Sequence, residues 1–125
     1  MDKLDLMMEC NTESLNELSN TFNNEERYNK FLDDATIIHS VCPEAFHALA
    51  DVLRMGAEKH GDNHAFKKRD PYYYFSKAIE HLNQADAYDI STYNASDEDI
   101  RHLSHAGCDI LLELEKLLIA REGLE

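Results

Sequence analysis

In the run DEDIRHLSHAGCD, Asp97 to Asp109, acids and imidazoles recur at helical spacing. Glu98, His102, His105 and Asp109 stand at i, i+4, i+7 and i+11, which at about 100° per residue puts them on one narrow stripe. Carboxylates and imidazoles projecting from helix faces are how helical bundles hold divalent metals. The histidines are three apart rather than four, which speaks against an HExxH zinc protease. A carboxylate-rich shell suits Mg2+ or Mn2+, whereas two bound imidazoles admit Mn2+, iron or Zn2+. The plainer reading is a solvated face on which Asp97, Glu98 and Asp99 complement the helix dipole. Opposite the polar stripe run Ile100, Leu103, Ile110, Leu111, Leu114, Leu117 and Leu118. They are expected to pack, leaving the polar stripe free for chemistry.

Two further groups carry chemistry. Glu80 and His81 share a helix face with Lys77 and Gln84, one loop before the Asp97 helix. Consecutive helices joined by a short loop pack antiparallel, so the two polar stripes are expected to face each other across a cleft. Alone, Glu80 and His81 would read as a surface pair. In MGAEKHGDNHAF, Met55 to Phe66, Lys59, Asn63 and His64 surround a glycine-bounded helix end, followed by Lys67, Lys68 and Arg69. That set suits phosphate groups, but the GKS/T ending of a Walker A loop is missing, so ATPase chemistry is not indicated. Without a ligand it reads as an ordinary helix end and a polar loop. Cys10, Cys42 and Cys108 are odd in number and form no CxxC, so neither a disulfide framework nor a zinc ribbon is indicated. Cys108 reads as a small buried residue rather than a nucleophile.

These groups need helices to position them. The first segment reads as helical with a break near Cys10–Thr12, and Ser14 with Glu17 fits a capping box. A helix follows from about Asn24 to Ser40. Pro43 opens the next, which ends near His60 with Gly61 as its cap. After a polar loop, Asp70–Pro71 starts a helix to about Asp86 that should bury Phe75, Ala78, Ile79 and Leu82. A loop near DISTYNA leads to Ser96, the cap of a last helix that runs to about Arg121 and stops at Gly123. No segment alternates with strand period. The expectation is an all-α bundle of four to five helices, with residues 1–40 a helical extension and 41–125 a metal- and nucleotide-binding core.

Composition agrees. The chain has 125 residues, four Gly, two Pro and a net charge of −13. One domain of this length can bury a core, and so acidic a chain is a poor partner for a nucleic-acid backbone. The charge is uneven. Residues 1–40 hold nine acids and three bases, 71–125 eleven and four, and 41–70 five of each. A neutral, locally basic segment inside an acidic chain suits a small anionic ligand, though a soluble acidic surface needs no ligand at all. With no membrane span and no signal sequence at the start, a cytosolic protein is expected.

Three pieces in one order then resemble a known family. FHALADVLRMGAEKHGDNHAF is similar to its A-x-x-x-V-x-x-x-G-A-x-K-Y-G-x-x-N-W segment, SKAIEHL to its A-x-x-R-H-L, and DEDIRHLSHAGCDILLELE to its E-x-G-x-x-H-L-x-H-A-x-x-N. The family is the dATP/dGTP diphosphohydrolases of phages and bacteria, relatives of the all-α, MazG-like nucleotide pyrophosphohydrolases, and the likeness spans Pro43 to Leu118. Gly56, Ala57, Lys59, Gly61, Asn63, Ala78, His81, Leu82, His102, Leu103, His105 and Ala106 match. The chain departs at His60 for Tyr, His64 for Trp, Glu80 for Arg, Tyr88–Asp89 for Gly-Glu, Asp99 for Gly and Asp109 for Asn, and Asp97 falls near an expected Glu.

The resemblance implies hydrolysis of dATP or dGTP to monophosphate and pyrophosphate with Mg2+ or Mn2+, in a homo-oligomer with sites near subunit interfaces. Metal ligands would come from Glu80, His81, Asp89, Asp97, His102 and His105, and an acid among Asp97, Glu98 and Asp109 would orient the water. Lys59, Lys67, Lys68 and Arg69 would hold phosphates, with Asn63 and Phe66 or Tyr74 at the base. Because the departures touch the expected Arg and the acidic loop, two other readings stand. One is a nucleotide-sequestering protein without turnover, acting in phage counter-defence. The other is an acidic interaction protein that mimics DNA and blocks a host factor.

Overall fold

The computed structural model describes residues 24–123. Asn24 caps the first helix there, its side chain accepting from Arg27 N at 2.8 Å. The elements are α1 (Glu25–Val41), α2 (Pro43–His60), a 3-10 turn (Ala65–Lys68), α3 (Tyr73–Gln84), α4 (Ala87–Ser91) and α5 (Asp97–Glu122). None of the described residues forms a strand, so the all-α expectation holds. The expected break at Cys10–Thr12 and the Ser14–Glu17 box lie outside the described residues. Contacts group the chain into two units, one ending at Phe46 and the other starting at His47. In the first, Leu32 is the buried residue of α1, and the His39 and Phe46 rings meet edge to face at 5.3 Å.

In the second unit the caps explain where helices begin and end. Gly61 and Gly123 both take φ near +70°, the left-handed conformation that closes a helix and that glycine adopts without a Cβ clash. Ser96 accepts from Asp99 N, and the Asp99 carboxylate accepts from Ser96 N, a reciprocal box that starts α5. Two boundaries differ from expectation. Tyr72 sits at φ 75 in the left-handed region, so α3 starts at Tyr73 rather than Pro71. The segment expected as a loop near DISTYNA contains α4, capped by Asp86 accepting from Asp89 N at 2.9 Å.

The start of α3 pairs with Glu113 and its end with His102, so α3 and α5 run antiparallel. They meet along Ala78, which sequence periodicity expected to be buried, and along the polar stripes expected to face each other. Ala78 and Ala106 are 1% and 4% exposed, flanked in helical angle by His81, His102 and Glu113. The stripes expected to pack are largely open, with Phe75, Ile79 and Leu82 on α3 and Ile100, Leu103, Ile110, Leu111, Leu114 and Leu117 on α5 at 38–61% exposure. The physical reason is that small alanines permit close approach while the polar side chains satisfy each other's hydrogen bonds. One neighbouring helix then covers only part of the circumference of α5. On another side α2 reaches α5 at Gly107, where an added Cβ would lie 3.0 Å from Leu49 Cδ2. Next to it the Cys108 thiol donates to the Leu49 carbonyl at 3.2 Å.

Candidate functional site

Three imidazoles and a carboxylate come together where α3 crosses α5. His81 and His102 approach Nδ1 to Nδ1 at 3.0 Å. The His81 ring lies 5.3 Å from that of His102 and 5.1 Å from that of His105, centroid to centroid. Asp109 Oδ2 stands 4.0 Å from His81 Nε2, too far for a hydrogen bond. That oxygen is buried and without a hydrogen-bond partner. The expectation that the two polar stripes face each other is met by these four residues.

A 3.0 Å N···N contact allows one proton between two nitrogens, so one ring donates and the other accepts. The carboxylate near His81 Nε2 favours a proton on that nitrogen, which makes His81 Nδ1 the acceptor and His102 the donor. Burial, then the neighbouring His105 and His102, hold the His81 pKa below its ordinary value. Burial, then Arg101 and His102, do the same to His105. Desolvation pushes Asp109 up to about 6, with Lys77 opposing and Glu80 adding to the rise. The cluster therefore sets His81 and His105, both held toward the neutral form, beside an acid that exchanges its proton close to neutrality.

The remaining expected residues lie around it or apart. Glu98 stands 3.8 Å from His102 Nε2, but its side chain is open to solvent and forked onto Arg101 at 2.8 and 3.1 Å. Glu80 is exposed and pairs with Lys77 at 3.3 Å. Asp97 is exposed in the first turn of α5, and Asp89 sits in the first turn of α4. Among the described residues neither makes an ion pair with the histidines. Lys59, Asn63, Lys67 and Lys68 are exposed on the α2 end, its loop and the 3-10 turn. The Arg69 guanidinium covers the Tyr73 ring at 4.8 Å. It also restrains the Tyr74 hydroxyl, whose pKa burial raises and which feels Asp109 as well.

Sequence reading stopped the stripe at Asp109, yet its spacing continues to Glu113 and Lys116, both largely buried. Glu113 Oε1 accepts from Tyr74 N and Phe75 N, each at 3.1 Å. Lys116 Nζ donates to the carbonyls of Arg69 and Asp70 at 2.9 and 2.8 Å. Asp99, 5% exposed, accepts from Asp86 N at 2.9 Å as well as capping α5. The stripe spacing carried past Asp109, to i+4 and i+7, is the signal that would have found Glu113 and Lys116. Cys108 is buried with its thiol pushed up to about 11, in keeping with the structural reading of it.

The donor set can be tested against a divalent cation. Neutral imidazole is the ligating form, and His81 and His105 are held toward it. Among the described residues no three His, Cys, Asp or Glu side chains converge as a ready metal cage. The imidazole nitrogens suit Mn2+ better than Mg2+, which takes oxygen ligands, and without a closed cage among the described residues the rest of the shell would come from water and phosphate oxygens. No helix among the described residues is long and apolar enough to cross a membrane.

Residues 25–123 match the family model described as dATP/dGTP diphosphohydrolase, N-terminal. The match takes in α1 as well as the Pro43–Leu118 stretch that carries the motif resemblance. No curated protein and no solved structure matches the chain.

Proposed function

We propose that this chain, which belongs to the dATP/dGTP diphosphohydrolase family, cleaves a purine deoxynucleoside triphosphate between its α- and β-phosphates, releasing the monophosphate and pyrophosphate. The observation that carries the reading is the His81–His102–His105–Asp109 cluster, assembled from two of the three matching motifs. Asp109 accepts the proton of the attacking water, because a base works best when its pKa lies near the operating pH and burial brings this one to about 6. His81 faces that carboxylate with Nε2 at 4.0 Å and stays neutral while the proton resides on Asp109. The Arg69 guanidinium, held over the Tyr73 ring at 4.8 Å, is a cation available for phosphate oxygens. His102 and His105, whose Nε2 atoms are not used within the His81 contact, would hold a Mn2+ ion with water and phosphate oxygens completing its shell; bound there, it would neutralise triphosphate charge and acidify water.

A second reading, nucleotide holding without turnover, is favoured by one observation. Glu80 stands where the family resemblance implies Arg, and it draws Lys77 into an ion pair. Each deoxynucleoside triphosphate incubated with Mg2+ or Mn2+ and assayed for pyrophosphate and orthophosphate decides between them. Pyrophosphate from dATP or dGTP, abolished by EDTA and by His102→Ala, supports hydrolysis. Nucleotide retained and recovered intact after denaturation supports holding.

The partner we propose is a second copy of the chain. On antiparallel helices, residues rotated off the contact in the same sense lie on one side of the pair. Phe75, Ile79 and Leu82 therefore flank the Leu103–Ile110–Leu114–Leu117 stripe, which no charged residue interrupts. Phe75, Ile79, Leu82, Leu103, Ile110, Leu114 and Leu117 are 38–61% exposed and form the face on which a second copy would seat; a standard interface buries ~800 Å2 per partner.

A further inference from the structure

We infer that Glu113 and Lys116 are positioning residues that set the axial register of α3 against α5 and so hold His81 opposite His102 and Asp109. The inference rests on the proposed hydrolysis only for its catalytic consequence. Most helix pairs take their register from interlocking apolar side chains. Here Phe75, Ile79 and Leu82 are open on α3, so that source is largely missing. The residue before α3, Tyr72, supplies no side-chain cap. The first-turn N–H groups of Tyr74 and Phe75 end instead on Glu113 Oε1, 38 or 39 residues away in sequence.

Lys116, one turn further along α5, completes the clamp. Its ammonium holds the Arg69 and Asp70 carbonyls just ahead of α3 and stands 3.9 Å from Glu113 Oε2. Both side chains are largely buried, at 13% exposure for Lys116 and 10% for Glu113, so these bonds are shielded from competing water. At the opposite end, Asp86 N donates to Asp99 Oδ1 at 2.9 Å. His81 lies between the two anchors. A helix rises about 1.5 Å per residue, so a slip of a fraction of one residue would break the 3.0 Å His81–His102 contact. The same clamp fixes the backbone of Arg69, whose carbonyl accepts from Lys116 Nζ.

The test uses the full chain carrying Lys116→Met or Glu113→Ala, with Lys116→Arg and Glu113→Gln as conservative partners. Thermal melts report folding, NMR cross-peaks between the His81 ring and the His102 and His105 rings report register, and pyrophosphate release gives kcat and KM. The expected result is folded protein in which Lys116→Met loses those cross-peaks. Its kcat should fall about tenfold or more, as small misplacements of reacting groups do, with KM within about threefold. Lys116→Arg and Glu113→Gln should restore both. Unchanged cross-peaks in folded Lys116→Met would overturn the inference, and that variant decides alone if Glu113→Ala does not fold. If the unaltered chain hydrolyses no nucleotide, the function reading fails while the cross-peaks still decide the register.

Discussion

His81 and His102 share one proton across a 3.0 Å contact between their Nδ1 atoms, so a second proton cannot enter that contact without breaking it. The cluster is thus built to stay at low positive charge. His81 and His105 are both held below their ordinary pKa, chiefly by burial. A group whose folded pKa is lowered binds more protons unfolded, so its contribution is present above about pH 6.5 and is lost as pH falls toward the folded value. Chemical denaturation between pH 7.5 and 5 should show that loss, and His81→Gln should flatten it. An equal slope in the variant would place the acid sensitivity elsewhere.

Asp109 behaves oppositely. Its folded pKa of about 6 lies above the ordinary 3.8, so the folded chain binds more protons between those values and loses stability as pH rises through that window. At one pKa unit per roughly 1.4 kcal/mol, ionised Asp109 costs on the order of 2–3 kcal/mol at pH 7. Asp109→Asn removes that cost, less the desolvation of its own amide, for a net gain of about 1–2 kcal/mol. Pyrophosphate release should fall by two orders of magnitude or more, as loss of a general base entails. Full activity in Asp109→Asn would remove this residue from the mechanism.

Asp99 stands where the family resemblance implies glycine, and its environment gives the reason. Its carboxylate accepts from Asp86 N, ahead of α4, and from Ser96 N, at the start of α5. These bonds hold its pKa below the ordinary value, so its contribution is lost as pH falls through the folded pKa. Asp99→Ala should lower Tm by several degrees and leave hydrolysis by the surviving folded protein within about threefold of the unaltered chain. Loss of activity at unchanged Tm would mean that Asp99 touches substrate.

Helices and caps were legible because they are local. Ser96, Asn24, Gly61 and Gly123 act within a turn of themselves, and each sits where its chemistry requires. How little of the apolar stripe a neighbouring helix covers was not legible. Periodicity reports that two stripes exist but not how far each is reached, and Ile100, Ile110 and Leu117 stay open. The start of α3 was missed for a related reason, since its cap comes from Glu113 across the helix pair and Asp70–Pro71 carries no trace of it. His81, His102 and Asp109 were found because the polar stripes of α3 and α5 do oppose one another. Glu98 and Glu80 shared those spacings but turned to Arg101 and Lys77 instead.

The open apolar stripe makes the last prediction. Leu114 and Leu117 are 48% and 61% exposed on a chain whose net charge of −13 would by itself keep copies apart. Apolar burial contributes roughly 25 cal/mol per Å2, but association has its own entropic cost of at least several kcal/mol, so such an interface gives micromolar or tighter pairing only if it packs well. Sedimentation at tens of micromolar should show a dimer that tightens rather than dissociates as salt rises, because salt screens the repulsion between acidic copies and leaves the apolar contact in place. Leu114→Glu would bury a carboxylate twice across a two-fold interface and should shift the protein to monomer. Its helical content should be unchanged, since this side chain is not used to hold α3. A protein that sediments as a monomer before substitution would sink the second-copy proposal, leaving the stripe to be covered by a different partner.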